Sequence, residues 1–210
     1  MRAPLSAFLA GAFVVSCAIP VAASVPAPSP LSTVPPVLAT TPGGNIVTAI
    51  VVRDIASNPI NGSTVVIDYN NCPGFVPCSA ASSPIPDGYI LNEGAKQIIM
   101  ISGINGQAPF YLRAGGGCSA TGIRVFADGV LLASIHAASA DQNGDLVVDA
   151  TDVSLVHAKI GTSDLSGDLD GNGVVDASDE AAVTGYVGTA CDNPTDTHHS
   201  SWGRVKTIYR

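Results

Sequence analysis

Basic residues are scarce in this chain: nine lysines and arginines face seventeen aspartates and glutamates in 210 residues, a formal net charge of −8. Binding nucleic-acid phosphates needs lysine and arginine, so no nucleic-acid partner is expected. No CxxC pair occurs, and His136, His157, His198 and His199 do not fall beside cysteines, which argues against a zinc site. The chain also lacks a GxSxG elbow, a phosphate loop and a Ser, His and Asp set at recognisable spacing. Asp54, Asp68, Asp87 and Glu93 are the carboxylates from which a glycoside-hydrolase pair would have to come. Each is more simply a turn or strand-edge residue, so catalysis is not expected. No amphipathic helix is legible before residue 150, which excludes a helical bundle over the first two thirds.

One long apolar run is present, residues 7–21, preceded by Arg2 and followed by the small residues VAAS. It is short for a membrane span and reads as an export signal over residues 1–23, cut near Ala23. The tetrapeptide VVSC resembles the lipobox of bacterial lipoproteins, which implies as an alternative a chain anchored at Cys17. Either way the expected location is secreted or cell surface, with no transmembrane span in the mature chain. The remaining cysteines, Cys72, Cys78, Cys118 and Cys191, are even in number and suggest two disulfides. Three connectivities stay open.

The chain then divides by composition. Residues 24–44 are Pro-rich and uncharged, an expected extended linker. Residues 45–138 hold short β-branched runs separated by turn residues, with Asn105-Gly106 a turn signal and Asp128-Gly129 the strongest hairpin signal. This pattern predicts a mainly β, antiparallel sandwich. The run VVRDIASNPINGSTVVIDY resembles the first hairpin of bacterial immunoglobulin-like and carboxypeptidase-regulatory-like sandwiches. The resemblance implies a spacer, adhesion or stabilising module.

Ten of the seventeen acidic residues lie between Asp141 and Glu180, where Lys159 is the only lysine or arginine. They are arranged in a repeat: DQNGDLVVDATD from Asp141 recurs as DLDGNGVVDASD from Asp168, 27 positions on. A calcium loop takes oxygen ligands at positions 1, 3, 5, 7, 9 and 12, with the backbone carbonyl at 7. The first loop offers Asp141, Asn143, Asp145, Val147, Asp149 and Asp152. The second offers Asp168, Asp170, Asn172, Val174, Asp176 and Asp179. Flexible, numerous oxygens without nitrogen or sulfur favour two Ca²⁺ ions over magnesium or zinc. Position 6 requires a positive φ, free for Gly173 and costly for Leu146, so the second loop is expected to bind more tightly. Val148 and Val175, at position 8, are expected to bridge the two loop backbones.

Short helices follow each loop, DVSLVHAKI and DEAAVTGYV, with Leu155, Val156, Val183 and Val187 expected inward and Gly161 and Gly188 as stops. Gly185 weakens the second. Loop, helix, linker, loop, helix, with Asp at position 12, resembles a type I dockerin over residues 139–190. That resemblance implies a small α-helical tandem EF-hand-like domain that plugs into a cohesin-like or other surface or scaffold protein. Its partner-binding positions 10, 11, 18 and 19 map onto Ala150, Thr151, Ala158 and Lys159, and onto Ala177, Ser178, Gly185 and Tyr186. The tail, residues 191–210, carries Arg204, Lys206 and Arg210 beside Trp202, Val205 and Tyr209. It is expected either to fold back on the acidic module or to serve as a sorting tag.

Overall fold

In chain order the described residues form β1 (Val37–Thr40), β2 (Thr48–Val51), β3 (Thr64–Asp68), β4 (Val76–Pro77) and β5 (Ile90–Asn92). There follow β6 (Gln97–Ile101), β7 (Gln107–Phe110), β8 (Ala114–Gly115), β9 (Cys118–Ala127) and β10 (Val130–Ser139). Two helices, α1 (Ala150–Lys159) and α2 (Ala177–Gly185), flank a 3-10 turn at Leu165–Gly167. These elements come from a computed structural model that describes residues 26–79 and 89–191. The export signal with Cys17, Asp87, and the tail with His198 and His199 lie outside the described residues. Among the described residues no helix is long and apolar enough to cross a membrane.

The described residues are mainly β with two short helices. A six-stranded sheet runs in the order β1-β10-β9-β3-β6-β5, antiparallel except for β1 beside β10, and β2-β7 and β4-β8 form two-stranded ribbons. The β9-β10 hairpin turns on Asp128 (φ 46°) and Gly129 (φ 81°), the doubly left-handed pair that matches strand twist. The Asp128 carboxylate also accepts from Ser63 Oγ (2.7 Å) and Thr64 N (2.8 Å), fastening this turn to the start of β3. Alternation along the strands sends Val65, Ile67, Ile98, Met100, Ile123 and Val125 of the main sheet into one core, which Ile50, Ala108 and Phe110 of the β2-β7 ribbon share. Each such valine, isoleucine, methionine or phenylalanine side chain, when fully buried, contributes about 1.5–3 kcal/mol.

Several expectations are corrected. The Pro-rich segment 24–44 is not a free spacer: its residues 37–40 are the buried strand β1, paired in register with residues 136–139 of β10. The apolar VLAT beyond Pro36 overrode the surrounding prolines because β10 offered an open edge. β2 and β3 do not form a hairpin, since β2 pairs with β7 and β3 with β6 and β9. Between them the Asp54 carboxylate accepts from Ala56 N and Asn58 N (both 2.8 Å), closing a turn that carries the chain from one sheet to the other. Asn105-Gly106 is likewise a turn between strands of different sheets, with Gly106 at φ 70°.

Residues 139–190 do not own a separate core. Val148, Val156, Leu169, Val175 and Val183 pack with Val37 and Ala39 of β1 and with Ala138 and Ala140 at the end of β10. Helices of nine and ten residues with so few apolar positions cannot bury a face alone, and the strand pair completes it. Of the four residues expected inward, Val156 and Val183 are buried, whereas Leu155 and Val187 are 36% and 50% exposed. Gly185 ends α2 rather than interrupting it, and Gly161 (φ 74°) and Gly188 (φ 91°) follow the helices in the left-handed conformation. The disulfides are Cys72–Cys118 and Cys78–Cys191, with Cα separations of 5.6 and 6.0 Å. The second ties the segment after α2 to the β4 region.

Candidate metal centre

The two acidic loops fold alike in the hydrogen bonds that frame them. In the first, Asp141 accepts from Gly144 N (2.8 Å) and Leu146 N (2.7 Å); in the second, Asp168 accepts from Gly171 N (2.9 Å) and Gly173 N (2.9 Å). Position 12 closes each loop. Asp152 accepts from Gln142 N (2.8 Å) and Asp149 N (2.8 Å), and Asp179 from Leu169 N (2.8 Å) and Asp176 N (3.0 Å). The same residues start the helices. Asp149 and Asp176 are N-caps, each completing a capping box with the aspartate three residues on, so the spelling D-A-T-D and D-A-S-D serves loop and helix together.

Position 6 is left-handed in both loops, Leu146 at φ 70° and Gly173 at φ 88°. For leucine this conformation costs about 1 kcal/mol, and the Asp141 bond to its amide helps to hold it. The first and last carboxylates, Asp141, Asp152, Asp168 and Asp179, are fully buried, while Asn143, Asp145, Asp149, Asp170 and Asn172 lie toward the surface. Burial pushes the Asp141 carboxyl above its ordinary range, and the neighbouring charges of Asp152 and Asp145 add to this against the amides of Leu146 and Gly144. Donation from Thr151 holds Asp149 low, and donation from Ser178 holds Asp176 low. In the second loop one oxygen each from Asp168, Asp170 and Asp179 lies within 4.8 Å of the others, the one such convergence of three among the described residues. That oxygen-only set fits a hard divalent cation.

Val148 and Val175 are both fully buried in the shared core but do not bridge to each other. Val148 N donates to Thr189 O (2.8 Å) and accepts at its carbonyl from Gly188 N (2.8 Å), while Val175 O accepts from Gly161 N (3.0 Å). Each loop is thus stitched to the residues following the other loop's helix. Cys191 N donates to Leu146 O (3.1 Å), so the strand-like stitch of the first loop ends on the Cys78–Cys191 disulfide.

The sheet supplies parts that local spacing did not announce. Glycines 115–117 form a platform beneath the first loop, with Gly116 N donating to Asp141 O (2.7 Å). A Cβ at Gly115 would collide with the Asp141 carboxylate, and one at Gly117 with Ala137 O. His136 of β10 is buried, with Nε2 lacking a hydrogen-bond partner and lying 3.7 Å from Asp168 Oδ2. Burial lowers the His136 pKa, opposed by the Asp168 charge. The GGG run and a histidine in an apolar strand were the visible traces of both features.

Among the expected partner-binding residues, Thr151, Ala158, Ser178 and Gly185 are exposed and Tyr186 is half-buried against the shared core. The Ser178 hydroxyl is engaged by Asp170 (3.1 Å) and Asp176 (2.6 Å). Lys159 turns inward, its side chain 21% exposed, donating to Gln142 Oε1 (2.6 Å) and Ser166 Oγ (2.7 Å). With the Asp164 carboxylate also 3.6 Å away, these two bonds leave little of the ammonium for a partner. His157 is exposed, with Nδ1 2.9 Å from Glu180 Oε2 across the two helices. The carboxylates weighed for hydrolysis are apart in role: Asp68 pairs with Arg124 (2.8 Å), Asp54 holds its turn, and Glu93 is exposed. Comparison of the chain with known protein families, with curated proteins and with solved structures found no match.

Proposed function

We propose that this is an exported, non-catalytic calcium-binding protein, an immunoglobulin-like sandwich carrying a dockerin-like pair of loops that serves assembly or surface attachment. The observation that carries the reading is the repetition of one hydrogen-bonded loop geometry at positions 141–152 and 168–179, left-handed position 6 included. Two calcium ions would be held by Asp141, Asn143, Asp145, the Val147 carbonyl, Asp149 and Asp152, and by Asp168, Asp170, Asn172, the Val174 carbonyl, Asp176 and Asp179. When bound, each ion supplies two positive charges that offset carboxylates otherwise crowded at short range. Export is supported by the apolar run at residues 7–21 and by two disulfides, which persist in oxidising compartments. The exposed Thr151, Ala158, Ser178 and Gly185 form the surface offered to a cohesin-like or other scaffold partner.

A second reading is favoured by the core that the loops share with β1 and β10 and by the Cys78–Cys191 tie. There calcium only staples the protein's own fold. Melting with calcium and with chelator tests the first step: calcium should raise the melting point by about 5 °C or more per occupied loop at a hundredfold excess over Kd. Identical melting with chelator, and no bound calcium in native mass spectrometry, refute the calcium reading. Affinity capture then separates the two: a partner lost on chelation supports assembly, and calcium-dependent melting without any partner supports the staple.

A further inference from the structure

Strand β10 runs directly into the first loop, since Asp141 follows Ser139 by two residues, but the second loop meets the sheet only across space. At that meeting Val37 of β1 and His136 of β10 are cross-strand partners in register, and both face the second loop. Gly171 is seated so closely on Val37 that a Cβ there would stand 2.7 Å from Val37 Cγ1. The His136 side chain is 9% exposed, and its Nε2, buried and without a hydrogen-bond partner, stands 3.7 Å from Asp168 Oδ2. Orphaned buried nitrogens are rare because their desolvation is not recovered, and this one is aimed at the leading carboxylate of the loop. Asp168 already takes the amides of Gly171, Asn172 and Gly173 from its own loop, and the imidazole stands beside it from the sheet. The imidazole is not among the groups that converge within 4.8 Å, which makes it a neighbour of the ligands and not one of them.

We infer that His136 is the positioning residue through which the sheet sets the second calcium loop: its Nε2–H donates to Asp168 Oδ2 and fixes that carboxylate as the loop draws in around a cation. This rests on the calcium reading above. Partners of metal ligands in this role change affinity by about 10- to 100-fold when removed. The role also makes the effect local. Among the described residues no histidine stands at the first loop's leading carboxylate, so that loop should not respond.

The test is a calcium titration of the full disulfide-bonded protein against a competing chelator, resolved loop by loop through the NMR amide signals of Gly144 and Gly173. His136→Leu, which keeps bulk without a donor, should weaken the second loop about tenfold or more and leave the first within about threefold of the wild type. His136→Gln, which restores a side-chain N–H, should bring the second loop back to within about threefold. Should His136→Leu fail to fold, His136→Asn takes its place, because its shorter amide falls short of Asp168 and must show the loss that Gln rescues. Equal second-loop affinity in wild type and the donor-free variant overturns the role of His136, as does a Gln variant as weak as Leu or an equal loss at both loops. A wild-type protein that binds no calcium overturns the underlying reading instead.

Discussion

Replacing Gly115 with alanine probes how far the first loop depends on the sheet beneath it. The added Cβ would overlap Asp141 Oδ2, with Asp141 Cγ at 2.7 Å and its Cβ at 3.3 Å. Asp141 is fully buried, so its carboxylate has no solvent-filled space to swing into, and Gly115 is held in β8 against Val76. Something must shift, and the bonds from Leu146 N (2.7 Å) and Gly144 N (2.8 Å) are the ones that depend on the carboxylate's place. Hydrogen bonds to a charged group contribute about 1.5–3 kcal/mol each, so losing both costs about 3–6 kcal/mol. For a chain of this size that lowers the melting point by roughly 6 °C or more. On the proposed calcium reading the first loop also loses its leading ligand, so native mass spectrometry should count one calcium fewer than for the wild type. Gly185→Ala is the control: nothing lies within 4 Å of the added methyl group, and better helix propensity should raise stability by about 0.5 kcal/mol. A Gly115→Ala protein that binds two ions with wild-type affinity and melts within about 1 °C of it would refute the reasoning.

Leu146→Gly should relieve the left-handed strain at φ 70° and tighten the first loop about fivefold, narrowing its gap to the second; a titration showing no gain contradicts the strain argument. The Cys78→Ser, Cys191→Ser pair removes a tie spanning 113 residues and should cost about 3 kcal/mol in denaturant unfolding. Its calcium effect should fall on the first loop, whose Leu146 and Val148 are stitched to residues 188–191, and an equal loss at both loops would count against that path. Lys159→Met should lower stability by about 1 kcal/mol by breaking its bonds to Gln142 and Ser166, while leaving capture of any partner intact. Lost capture with unchanged melting would instead make Lys159 a contact residue.

The two loops were readable from the chain because the hydrogen bonds that frame each one lie within twelve residues. Asp141 and Asp152 fold the same short segment that spells them, position 6 must turn left-handed whatever stands there, and D-A-T-D caps the helix it begins. Asp128-Gly129 was legible for the same reason, a turn being the most local of elements. The cysteine pairing was not, nor was β1 inside the Pro-rich segment, nor the split of β2 and β3 between sheets. Those depend on which edges and faces remain open once the other strands have paired, and no periodicity of 2.0 or 3.6 residues records that. Gly115 beneath Asp141 and His136 beside Asp168 belong with them: each pair meets across more than twenty residues of chain, where only packing brings a glycine's missing side chain or an unpartnered imidazole up to a carboxylate.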